Sequence, residues 1–119
     1  MKRGPESKPT QELAVFLEKA SKKNGAPIWM AVAEKISGPR RRRVTVNIGK
    51  IGKIVNGGET ILVPGKLLSG GVISKPVTIA SFSASKAAVD KLAKAGGKYL
   101  TLRKLVEANP KGSKVVIIQ

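Results

Sequence analysis

Sixteen uncompensated positive charges on 119 residues limit what this chain can fold into. Any compact state must keep 23 Lys and Arg and only 7 Asp and Glu at its surface, and self-repulsion on that scale opposes compaction. The penalty is relieved when the basic side chains face a polyanion, so a nucleic-acid partner is expected. The core left over is small and aliphatic. Hydrophobic residues make up 41% of the chain, but Phe16, Trp29, Phe82 and Tyr99 are its only aromatics, so Val, Ile, Leu and Ala must fill the interior. The length suits one domain. It is read as residues 10–119, preceded by a basic arm at 1–9 that carries Pro5 and Pro9 and is expected to be flexible without a partner.

Hydrophobic spacing predicts two helices in the first third. Leu13, Phe16, Leu17 and Ala20 form one stripe after a capping Thr10, and Asn24-Gly25 ends it. Trp29, Val32, Ala33 and Ile36 form a second stripe behind Pro27, ended by Ser37-Gly38-Pro39. The stretch Val44-Thr45-Val46-Asn47-Ile48 alternates as a half-buried strand. Between Gly49 and Gly71 the chain is rich in glycine and reads as short irregular strands and loops, with the apolar run Ile61-Leu62-Val63 stopped by Pro64-Gly65. A strand at 77–82, a helix capped by Ser83 or Ser85, a turn at Gly96-Gly97, a brief strand at Tyr99-Leu100, a short helix at 102–106 and a last strand at 115–118 complete the order. The reading is α/β: a single compact domain with an N-terminal helix pair followed by irregular strand-strand-helix turns.

The residues exclude most catalysis. There is no Cys and no His, which removes disulfides, zinc ribbons, thiol nucleophiles and Ser-His-Asp triads. Asp90 is the only Asp, and no spacing pairs the Glu residues for acid–base work. Ser83-Ala84-Ser85-Lys86 reads as a helix cap followed by a surface lysine rather than as a serine nucleophile and its base. Gly49-Lys50, Gly52-Lys53, Gly65-Lys66 and Gly97-Lys98 lack the first glycine and the hydroxyl of a Walker loop. They suit close approach instead: glycine lets the backbone near a phosphate and lysine adds a point charge. No catalytic residue, metal, cofactor or small-molecule substrate is expected. Met1-Lys2-Arg3-Gly4-Pro5 leads into no apolar segment, and no apolar run approaches the roughly 20 residues of a membrane span, so a cytoplasmic soluble protein with no membrane partner is expected.

Nucleic-acid contact is expected from the arm, through Lys2 and Arg3, and above all from Arg40, Arg41, Arg42 and Arg43. Four consecutive guanidiniums offer planar forks to phosphates and stay extended by mutual repulsion. Lys50, Lys53, Lys66, Lys75, Lys98 and Lys111 add charge on the loops that follow. Trp29, Phe82 and Tyr99 are read as core, which leaves too few aromatics for a base-stacking platform. Recognition should therefore rest on phosphates, 2′-hydroxyls and RNA shape. Composition alone would also admit a free, chromatin-like architectural protein, although no recognition helix or minor-groove wedge is evident.

Several segments carry a family resemblance. Ile61-Leu62-Val63-Pro64-Gly65-Lys66-Leu67-Leu68, the run from Val77 through Phe82-Ser83 to Leu92, the turn Lys94-Ala95-Gly96-Gly97, Leu100-Thr101-Leu102 and Asn109-Pro110-Lys111-Gly112 occur in the order and spacing of the large-subunit ribosomal protein L-eighteen-e family of archaea and eukaryotes. That family is related to large-subunit protein L-fifteen. The resemblance spans Leu13 to Lys111, and the short chain is similar to archaeal members. It implies a compact α/β domain in the cytoplasmic large ribosomal subunit that binds large-subunit ribosomal RNA, lies beside other large-subunit ribosomal proteins and catalyses nothing.

Overall fold

The structure, a computed structural model, describes residues 8–37 and 44–119. Lys2, Arg3 and Arg40–Arg43 lie outside the described residues. The fold is α/β, in the order α1 (Lys8–Asn24), α2 (Pro27–Ile36), β1 (Thr45–Asn47), α3 (Ile48–Ile54), β2 (Thr60–Leu68), β3 (Thr78–Ala84), α4 (Lys86–Lys94), β4 (Lys98–Thr101), α5 (Leu102–Ala108) and β5 (Val115–Ile117). The residues group into two compact units, the first holding α1, α2 and Arg103–Ser113 and the second Val44–Leu102 with Lys114–Gln119.

In the first unit α1 begins at Lys8, with Pro9 in its first turn, so Thr10 is a buried helical residue and not the cap expected for it. The buried stripe of α1 runs through Thr10, Ala14, Leu17, Ala20 and Ser21. It is turned from the expected one, leaving Leu13 and Phe16 half-buried at its edge. Phe16 is covered there by the Arg103 guanidinium, 4.6 Å from the ring centroid. Helix α1 ends as the sequence expects. Gly25 takes φ +61°, and the Ala26 N–H donates to the Ser21 carbonyl at 3.0 Å, which satisfies one of the last orphan acceptors. Pro27 then opens α2, whose Trp29, Val32, Ala33 and Ile36 are all buried. The Trp29 indole N–H donates to the Pro110 carbonyl at 2.8 Å, so the one polar atom of the largest core side chain is satisfied.

The second unit is built on a parallel sheet. Its path is β1-β2-β3-β4, with β5 also on β2. Strand β5 pairs with Thr60–Leu62 and β1 with Lys66–Leu68, so the two short strands share one side of β2 and β3 takes the other. Strand β2 is buried from Ile61 through Gly65, as expected of a central parallel strand covered on both faces. Pro64-Gly65 does not stop it, contrary to the sequence expectation. The strand passes through with a register shift between Val63 and Lys66. A side chain at Gly65 would meet the Val44 carbonyl, which instead accepts the Lys66 N–H at 3.0 Å. The core of this unit joins Ile48 and Ile51 of α3, Ile61, Val63 and Leu67 of β2, Ile79 of β3, and Ala88 and Leu92 of α4. Phe82, expected in the core, is only half-buried. Tyr99 is half-buried against the core and shares a 2.8 Å hydrogen bond with the buried Ser81 hydroxyl.

Ser85 is the cap of α4: its hydroxyl accepts the Ala88 N–H at 3.1 Å. The other end of α4 explains both glycines of the turn. Gly96 takes φ +83°, whereas Gly97 is held by space, because a Cβ there would stand 2.5 Å from the Val77 carbonyl oxygen and 2.5 Å from Leu92 Cδ1. That approach lets Lys98 enter the sheet, its N–H donating to the same Val77 carbonyl at 3.0 Å. Gly96→Val and Gly97→Val are each expected to destabilise the RNA-free protein by about 1–3 kcal/mol, through backbone strain at the first and overpacking at the second. Urea midpoints check this, and unchanged midpoints with weakened RNA binding would assign the glycines to RNA approach instead.

Candidate nucleic-acid interface

The structure separates the expected basic residues into distinct places. Lys50 and Lys53 are exposed on α3. Lys66 is the exposed residue within the otherwise buried run of β2. Lys98 is exposed at the start of β4. Lys75 is exposed on the loop between β2 and β3, with its ammonium donating to the Val55 carbonyl at 3.0 Å. Lys111 belongs to the first unit, where its ammonium reaches the Asn24 carbonyl at 3.4 Å. Close to Lys75, Glu59 accepts the Asn56 N–H at 2.7 Å and the Gly57 N–H at 2.5 Å. These bonds, that to Asn56 first, hold its carboxyl below the usual carboxylate range, with Lys75 adding to the effect.

Two of these lysines are brought to one groove. Helix α3 is hidden in the sequence because Gly49 and Gly52 each weaken a helix by about 1 kcal/mol relative to Ala. Packing forms it anyway. Ile48 and Ile51 turn into the core with Val55 just beyond, the glycines turn toward the 70–73 loop, and Lys50 and Lys53 turn to solvent. A Cβ on Gly49 would stand 2.8 Å from Gly71 Cα, and one on Gly52 2.5 Å from the Val72 carbonyl oxygen. Backbone therefore lies on backbone. The result is an open groove of about 620 Å³ lined by Asn47, Gly49, Lys50, Gly52, Lys53, Gly70, Gly71 and Val72, with no acidic side chain in the lining. It opens just beyond the carboxyl ends of β1 and β2, the end at which parallel α/β sheets bind ligands.

The loop wall of the groove is fixed at several points. Asn47 Oδ1 accepts the Gly70 N–H at 3.0 Å, and the Gly70 carbonyl accepts the Gly49 N–H at 2.8 Å. From α4, the Lys91 ammonium donates to the carbonyls of Ser69 and Gly71, both at 2.7 Å. Sequence reasoning selected Lys50 and Lys53 through their Gly-Lys pairs and missed Asn47, Gly70, Gly71, Val72 and Lys91. The three-residue spacing of Gly49-Lys50-Ile51-Gly52-Lys53-Ile54 was the available signal for α3. No local signal joined it to the distant loop. Among the described residues no group of acidic side chains could hold a metal ion, and no helix is long and apolar enough to cross a membrane.

Residues 23–100 match the family model that describes the ribosomal proteins 50S-L15 and 50S-L18e together with their 60S counterpart. The chain is 44% identical to large ribosomal subunit protein eL18 of Pyrobaculum aerophilum over 97% of its own length and 94% of that protein's. It is 45% identical to the protein of that name from Methanococcus maripaludis, covering 92% and 91% of the two chains. For the Methanopyrus kandleri protein the identity is 43%, over 98% and 95%. Likeness of this extent, with few residues left unmatched on either side, places the chain in that family of ribosomal proteins, among relatives of archaeal large ribosomal subunit protein eL18.

Proposed function

We propose that the chain is a structural constituent of the large ribosomal subunit in the cytoplasm, where it binds and stabilises large-subunit ribosomal RNA through its basic loops and lies beside other large-subunit proteins. The observation that carries this reading is the near full-length identity to relatives named for that subunit. Those names denote a subunit component and no catalytic activity, so the role is structural rather than enzymatic. Charge supports the same reading. The net +16 suits a phosphate lattice, and Lys50, Lys53, Lys66, Lys98 and Lys111 have exposed side chains. We assign phosphate contact to these lysines, to Lys75, and to Lys2, Arg3 and Arg40–Arg43.

Competition separates this role from that of a free architectural protein. Labelled large-subunit ribosomal RNA bound by the full chain is challenged with unlabelled RNA and with duplex DNA of equal phosphate content at fixed salt. The RNA is expected to displace the label and the DNA to do so poorly. Equal displacement by DNA would favour the chromatin-like alternative.

A further inference from the structure

We infer that the groove between α3 and the 69–72 loop seats a single RNA strand by its phosphodiester backbone, with Lys50 and Lys53 at phosphates and Lys91 as a positioning residue that holds the loop. The inference rests on the RNA-binding reading above and adds to it a place on the molecule and a division of labour among lysines.

Four features point to a phosphodiester strand. First, Lys50 and Lys53 are three residues apart on one helix, so they are neighbours on its surface and offer two ammonium groups in succession. Lys50 gives one bond, to the main-chain oxygen of Gln119 at 2.8 Å, and an ammonium has three donors, so two remain for an anion. Second, the floor is bare main chain at Gly52, Gly70 and Gly71, which contribute no side chains, so a bulky backbone can come close. Third, Val72 is 75% exposed at the same groove, an apolar surface beside two charges. An RNA strand likewise sets charged phosphates beside the apolar faces of its bases. Fourth, the wall is held by hydrogen bonds without any ligand. Ser69, Gly70 and Gly71 are tied by the bonds from Lys91, Asn47 and Gly49. A preformed wall saves the ordering cost that a free loop would incur on binding.

Lys91 and Lys53 therefore have different work although both are cations. Lys53 is exposed on the groove. The Lys91 ammonium gives two of its three donors to carbonyls of the loop, so its loss is expected to act chiefly through the loop.

The test measures binding of the full chain to purified large-subunit ribosomal RNA across a salt series, for wild type, Lys53→Met and Lys91→Met, with amide exchange of residues 69–72 in the free proteins. Lys53→Met is expected to make the slope of log affinity against log salt shallower by about 0.7, the single-strand value for one phosphate, so that its deficit against wild type grows roughly fivefold as salt falls from 1 M to 0.1 M, with exchange in the loop unchanged. Lys91→Met is expected to weaken binding with the wild-type slope kept and to speed exchange at 69–72. Wild-type affinity and slope in Lys53→Met, while the wild-type chain binds RNA, would overturn the groove and leave the RNA reading standing. A chain that binds no ribosomal RNA at all would overturn the RNA reading itself. A slope shallower by about 0.7 in Lys91→Met, with the loop still protected, would make Lys91 a phosphate contact and overturn its positioning role. Should Lys91→Met fail to fold, Lys53→Met still decides the groove.

Discussion

Raising salt from 50 to 200 mM is expected to weaken binding of this chain to large-subunit ribosomal RNA by about 10³–10⁵-fold. That range follows when roughly six to ten phosphates are neutralised on a duplex-like lattice, each contributing about 0.9 to the slope; at the single-strand value of about 0.7 the loss is about 10^2.5–10^4-fold. The chain has 23 Lys and Arg to supply those contacts. It has little else to bind with. Trp29 is fully buried, Tyr99 is half-buried against the core, the Phe16 ring carries the Arg103 guanidinium, and Phe82, half-buried on β3, is a single ring. Without an aromatic platform, base stacking cannot provide the salt-resistant share of affinity that single-strand binders draw from it. Filter binding or fluorescence anisotropy over that range measures the slope. An affinity that barely moved would mean that shape or base contacts, not phosphates, hold the complex.

Trp29→Ala is expected to cost about 3–5 kcal/mol of stability, a large share of the roughly 5–15 kcal/mol typical of a folded domain. The indole is the largest fully buried side chain, carried on α2 and bonded at 2.8 Å to the Pro110 carbonyl. Removing it opens a cavity and also leaves a carbonyl without its donor. Trp29→Phe keeps most of the volume and loses the bond, so a smaller loss of about 1 kcal/mol is expected for the missing hydrogen bond alone. Chemical denaturation of the RNA-free protein measures both. The pair also tests the alternative role of Trp29 as a base-stacking residue. Under that role both variants would keep their unfolding midpoints and lose RNA affinity; with a buried indole, Trp29→Phe should keep its affinity wherever it remains folded.

Where local rules act alone, the sequence was sufficient. The stripe of α2, the Pro27 start, the left-handed Gly25, the Ser85 cap and the Gly96 turn each depend on neighbours within a few residues, and each is where the spacing placed it. The misses have tertiary causes. Gly49 and Gly52 argue against a helix until the 70–73 loop is close enough to exclude any side chain there. Pro64-Gly65 argues against a strand until Val44 supplies the facing carbonyl and the register shifts to admit it. The buried face of α1 is displaced from the most hydrophobic stripe because small Ala14, Ala20 and Ser21 permit close helix packing while Phe16 pairs with Arg103 at the rim. The groove follows the same division. Its lysines were visible as Gly-Lys pairs, whereas its opposite wall, distant in the chain, is brought to it by the sheet that pairs β1 with β2 and by the bonds of Gly70 to Asn47 and Gly49. Lys91 read as one more surface lysine because nothing local shows that its ammonium ends on two carbonyls of another loop.

The central claim, that this chain is a large-subunit component, is tested most directly by locating the tagged full-length chain in the cells that make it. Ribosomal subunits are separated on sucrose gradients at low salt, where phosphate contacts hold, and the chain is quantified against known proteins of each subunit. It is expected at about one copy per large subunit, depleted from small subunits and from DNA-containing fractions, as a permanent part of a ribonucleoprotein requires. Recovery chiefly as free protein or with DNA, with large subunits lacking it, would contradict the account.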